Sequence, residues 1–125
     1  MKKVIATNNA PAAIGPYSQA IEVNGMIFIS GQIPIDPATG EFVSGGIKEQ
    51  TTQSFRNIKA ILAEAGLTTD NVVKTTVLLA EMKDFAAMNE VYATQFAGSF
   101  PARSAFAAKD LPKGALVEIE VIAVR

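Results

Sequence analysis

Apolar residues recur along this chain with two periods, and the switches between them mark out its elements. Lys3 to Ala6 is a short β-like run, and Asn8 to Pro16, with two prolines and a glycine, reads as an ordered loop. Tyr17 to Val23 and Met26 to Ile33 flank Asn24-Gly25. That dipeptide is the strongest short-range hairpin signal, because both central residues of a type I′ turn need positive φ. A turn-rich connection over residues 34–40 leads to a candidate short strand at Glu41 to Val43. From Ile47 the period changes. Ile47, Thr51, Phe55, Ile58, Leu62 and Ala65 recur at steps of three and four, which predicts a helix over 47–65 closed by Gly66. Val72 to Leu79 is β-branched and reads as a strand. Asp84 is placed to cap a second helix carrying Phe85, Met88, Tyr92 and Phe96 on one stripe, with Gly98 ending it. Arg103 to Ala107 follows Pro101 as a strand, Lys109 to Gly114 is a turn, and Ala115 to Arg125 is a long last strand. The order is ββ, α, β, α, ββ, with two split β-α-β units.

Two helices about 10 Å apart cover roughly four strands spaced near 4.8 Å, so they shield one face of this sheet and no more. Both faces nevertheless look apolar. Ile27 and Ile29 point one way while Met26 and Phe28 point the other. The last strand sets Ala115, Val117, Ile119, Val121 and Ala123 against Leu116, Ile122 and Val124. Soluble proteins seldom leave such a face wet. Either copies of the chain close the helix-free face, or loops 8–16 and 34–46 fold over it, and self-association is the favoured reading.

The 125 residues suit a single domain over 1–125, and with 49% hydrophobic against 18% charged residues disorder is not expected. There are no cysteines and no histidines. This excludes a thiolate nucleophile, a Ser-His or Cys-His pair, a disulfide framework and a zinc site with Cys or His ligands. Acid–base work falls to Glu, Asp, Lys, Tyr or bound water. Eleven basic and twelve acidic residues leave a net charge of −1, so nucleic acid is not an expected partner. No apolar run is long enough to span a bilayer, and Thr7-Asn8-Asn9 interrupts any signal-peptide core, so a cytoplasmic location without a membrane partner is expected.

Candidate chemistry is sparse. Glu118 and Glu120 share the face of the last strand that holds Leu116 and Ile122. They are either solvated acids paired with lysines or carboxylates buried against a cation. Arg103 lies in Phe100-Pro101-Ala102-Arg103-Ser104-Ala105-Phe106, a segment otherwise without charge. Its planar fork suits a carboxylate, which is either Glu118 itself or one carried by a ligand, leaving Glu118 free to hold water. Gly31, in Ser30-Gly31-Gln32, marks either a β-bulge or a close approach by a ligand or another backbone. Asn89 borders the buried stripe of the second helix, as a polar core residue or a ligand donor. Tyr17 stands beside a rigid turn and by itself reads as packing.

These segments together resemble the RidA (YjgF/YER) family. The matches are Ala10-Pro-Ala-Ala-Ile-Gly-Pro-Tyr-Ser-Gln-Ala20, Ser30-Gly-Gln-Ile-Pro34, Asn89-Glu-Val-Tyr92, Phe100-Pro-Ala-Arg-Ser104 and Val117-Glu-Ile-Glu-Val-Ile-Ala123, in order over nearly the whole chain. The resemblance implies a chorismate-mutase-like α+β fold, a mixed sheet with two helices on one face, assembled as a homotrimer with pockets between subunits. It also implies a 2-iminobutanoate/2-iminopropanoate deaminase, hydrolysing 2-imino acids and their enamine tautomers to 2-keto acids and ammonia, with no metal and no cofactor. Arg103 would clamp the substrate carboxylate and Glu118 would position and deprotonate the attacking water. Tyr17, Asn89, the Ser30-Gly31 backbone and Ala105 would line the pocket. Many members carry cysteine where this chain has Ala105, so thiol-based regulation is not expected here. A non-catalytic protein binding keto acids in the same trimer pocket is the alternative, and an endoribonuclease a more distant one.

Overall fold

The computed structural model describes residues 1–125. Its elements are β1 (Lys3–Ile5), β2 (Ala20–Val23), β3 (Met26–Gln32), β4 (Ile35–Asp36), β5 (Glu41–Phe42), α1 (Ile47–Glu64), β6 (Val72–Leu79), α2 (Phe85–Ala93), β7 (Ala102–Ala107) and β8 (Val117–Val124). Six strands form one mixed sheet in the order β1-β2-β3-β8-β6-β7, with only β7 running parallel to its neighbour. The β2–β3 turn is the expected one, with Asn24 at φ 51° and Gly25 at φ 76°.

Both helices lie on one face, and the core sits between them and the sheet. Phe55, Ile58, Ile61, Leu62 and Met88 meet Ile27, Val77, Leu79, Val117 and Ile119 there, all buried. The alternation of β8 is as its sequence requires: Val117, Ile119, Val121 and Ala123 are buried, while Glu118 and Ile122 are partly open and Glu120 and Val124 exposed. Met26, Phe28, Phe106 and Val124 remain exposed. Part of the helix-free face is therefore apolar and uncovered within one chain, as expected, while residues 11–17 of the first loop stand over its Glu118 and Glu120 part. Residues 34–46 are tied instead to α1, where the Asn57 amide donates to the carbonyls of Ile33 and Ile35.

Several boundaries differ from expectation. The second helix stops at Ala93 instead of running past Phe96, because Thr94 and Gln95 close it with bonds to Val91 and Tyr92 carbonyls. Phe96 is still buried, edge-on to Phe55 and beside Tyr92. Asp84 precedes that helix without a side-chain capping bond. Ile35–Asp36 and Glu41–Phe42 pair with each other as a separate two-stranded sheet.

Candidate active site

Glu118 is held where the sheet is irregular. The β3–β8 register slips between Ile29 and Gln32, which is a bulge around Ser30 and Gly31. Glu118 lies against the opened backbone: a Cβ on Gly31 would stand 2.5 Å from Glu118 Oε2. The bulge reading of Gly31 therefore holds, and what approaches it closely within the chain is the Glu118 side chain. Glu118 has no cationic partner; the chain's ion pairs are Lys48–Glu90, Lys83–Glu81 and Arg125–Glu22. Burial raises its pKa, and the neighbouring Glu120 charge adds to the rise.

A cleft of about 600 Å³ opens over this carboxylate, lined among others by Tyr17, Ser30, Gly31, Ile33 and Ile35. The phenol of Tyr17 is exposed at its wall. Ser30 offers the cleft little, because its hydroxyl donates to the Ser18 carbonyl at 2.6 Å. Gln19, which sequence reasoning did not single out, fastens the loop of residues 7–11 on the other side. Its Nε2 donates to the carbonyls of Pro11 and Thr7 at 2.7 and 3.1 Å, and its Oε1 accepts from Thr7 N.

Arg103 stands elsewhere. On β7 it pairs with Thr75, which is fully buried on the helix side, whereas Glu118 pairs with Leu78, three residues on along β6. Paired residues share a face and successive residues alternate, so the two groups project from opposite sides of the sheet. The alternative in which Arg103 is neutralised by Glu118 is excluded within the chain. Its guanidinium instead donates from Nη1 to Asn89 Oδ1 at 2.7 Å and lies over the Tyr92 ring at 4.7 Å and the Phe85 ring at 5.4 Å. Such stacking contributes about 0.5–2 kcal/mol and fixes the plane of the fork. Tyr92 is fixed in turn by a 2.7 Å bond to Thr75 Oγ1, and burial raises its pKa.

A second cleft of about 350 Å³ lies here, lined by Asn89, Tyr92, Ala93, Phe100, Pro101 and Arg103. Asn89 and Arg103 are therefore brought together, as are Tyr17, Ser30, Gly31 and Glu118, but the two groups form separate half-sites. Ala105 lines neither cleft; it pairs with Val77 and packs against the core. Tyr92 and Phe85 were read only as core, and their spacing from Asn89 on α2 was the signal that they border the same group. No three acidic side chains stand close enough to hold a metal ion.

The fold and its clefts define a small α+β protein that presents an unpaired cation on one face of a mixed sheet and an unpaired, desolvated carboxylate on the other. Residues 7–125 match the family model described as Endoribonuclease L-PSP, and the chain belongs to this family. It is 54% identical over 125 residues to a mouse protein named 2-iminobutanoate/2-iminopropanoate deaminase, covering 100% of this chain and 93% of that one. The human protein of the same name is 50% identical, with 100% and 91% covered. Among solved structures, a Rid-family protein from Yersinia pestis superposes with a TM-score of 0.97 at 53% identity, covering both chains completely. The TdcF protein of E. coli, solved with bound serine, gives 0.94 at 44% identity and covers 98% of each.

Proposed function

We propose that this chain is a hydrolase of C=N bonds that converts 2-imino acids to 2-keto acids and ammonia, working as a homotrimer whose sites form between copies. The observation that carries the reading is the separation just described: the two ionic groups the reaction needs are present and unpaired, on opposite faces of one sheet. Packing the exposed apolar face formed by Met26, Phe28, Ile122 and Val124 against neighbouring copies would let the Arg103 half of one chain meet the Glu118 half of the next. Supporting it further are the deaminase name carried by the mouse and human relatives and the amino acid bound by a relative that is 44% identical.

In this site Arg103, oriented by Asn89 and Tyr92, receives the substrate carboxylate on its remaining N–H groups. Glu118 accepts a proton from a water that attacks the imine carbon, giving a carbinolamine. Glu118 passes that proton to the nitrogen and accepts the hydroxyl proton in its place as the C–N bond breaks, so that the carbonyl forms and ammonia leaves. The carbon is already electrophilic when the imine is protonated, so positioning and one general base supply the acceleration. The base contributes about 10²–10⁴-fold.

The test is keto-acid release from an imine generated in situ. The parent should accelerate it, with Arg103→Ala losing the gain through KM and Glu118→Gln through kcat. Equal release with and without the parent protein contradicts the proposal. Retention of keto-acid binding with no acceleration would point to the non-catalytic binding protein instead.

A further inference from the structure

The segment that leaves β3 beside the carboxylate cleft is gripped from inside the core. Asn57, in the middle of α1, is completely buried. Its Nδ2 donates to the Ile35 carbonyl at 2.9 Å and the Ile33 carbonyl at 3.2 Å. Gln53, also buried, donates to Asn57 Oδ1 at 2.9 Å and so fixes which way the amide faces. A buried amide is costly unless its groups are met, and here they are met by a backbone that has left the sheet ladder. Ile35 N turns back on Ile33 O at 2.8 Å, and Pro34 between them is buried. The backbone of residues 33–35 therefore has little freedom to move sideways.

Ile33 and Ile35 both line the cleft that holds Glu118 and Gly31. The bond from Ile35 N to Ile33 O folds the chain into a γ-turn at Pro34, which keeps these two cleft residues close together. An imine carbon held beside Gly31 and Glu118 would thus lay its substituent over Ile33, with Ile35 beyond. We propose that Ile33 and Ile35 form the subsite for the substrate's side chain, and that Asn57 is the positioning residue that sets its depth. The cleft then takes short, unbranched aliphatic imino acids and turns away bulky or charged ones. This rests on the imine-hydrolysis reading above.

The readout is a ratio. Imines are generated in situ by an amino-acid oxidase from alanine, 2-aminobutyrate, leucine and glutamate, and kcat/KM is measured for each. Partial unfolding lowers all four values by one factor and leaves their ratios unchanged, whereas a change in the depth of the subsite alters them. Ile35→Ala should shift the leucine-to-alanine ratio about tenfold or more towards leucine, the range set by one or two methylenes in an apolar pocket. Asn57→Ala should shift it in the same direction. If that variant does not fold, Gln53→Ala, which removes the donor orienting the amide, takes its place. An unchanged ratio in Ile35→Ala overturns the subsite. A shift there with none in folded Asn57→Ala or Gln53→Ala overturns the positioning role. A parent that accelerates none of the four imines defeats the hydrolase reading itself, an outcome distinct from the other two.

Discussion

A glutamate that is half-buried against a glycine backbone, with a second carboxylate two residues away and no cation beside it, is held closer to neutrality than a free one. Glu118 is in that position. As the general base it must be ionised, so the acid limb of kcat/KM should lie above the ordinary glutamate value of 4.5. A pH–rate profile measures this: a limb below that value means that the neighbouring copy's Arg103 outweighs burial and Glu120, and no acid limb at all means that another group is the base. The sign for stability is the opposite. A carboxyl whose folded pKa is raised contributes stability below its unfolded pKa, and loses it as pH rises through the folded value. Measured on copies kept apart from one another, where no Arg103 reaches it, Glu118→Gln should therefore melt higher than the parent near pH 7 and lose that advantage below about pH 4, near the unfolded glutamate value. Arg103 is the counterpart. A lysine keeps the charge but neither the fork nor the stacking on Tyr92, so Arg103→Lys should lower kcat/KM by roughly 10- to 100-fold, the range of one charged hydrogen bond.

At the scale of elements, the bulge in β3 and the polar face of α1 are what place the site. Gly31→Ala puts a methyl group where Glu118 Oε2 now lies. The flexible carboxylate end can swing away, so this variant should keep its melting temperature within a few degrees while losing most turnover. A large fall in both would mean that the bulge itself had collapsed. Gln19→Leu should behave in the converse way. It strips partners from carbonyls in the 7–11 loop, which costs about 1–3 kcal/mol, to be measured by denaturant unfolding. The sequence made β3, α1, β6 and β8 legible because their apolar residues are large and strictly periodic. It did not reveal the face on which Arg103 stands, for a physical reason: Ala102 to Ala107 is mostly small residues, and its one large apolar side chain, Phe106, is exposed. Nor does local pattern disclose that β7 runs parallel or that β4 and β5 pair. The buried amides were hidden for a different reason. Gln50, Gln53 and Asn57 look solvated when read singly, although steps of three and four place them beside the apolar stripe of α1.

On the scale of the whole molecule, two helices shield one side of the sheet, and Met26, Phe28, Phe106 and Val124 stay exposed on the other. What sequence left undecided was whether Arg103 and Glu118 meet inside one chain, and the strand registers separate them. Phe28, paired with Ile122 near the middle of the open face, is the position at which a charge should be least tolerated. Phe28→Asp should lower the particle mass seen by light scattering and abolish turnover together, since a lone copy lacks half of each site. The most direct test mixes two inactive variants. Arg103→Ala and Glu118→Gln are unfolded together in equal amounts, refolded and assayed. With sites shared between neighbours in a closed ring of three, every mixed trimer contains one site with both groups intact, and about a quarter of parental activity should return. If refolding the mixture restores nothing beyond the two variants alone, while the parent recovers fully under the same treatment, Arg103 and Glu118 do not act across a subunit boundary.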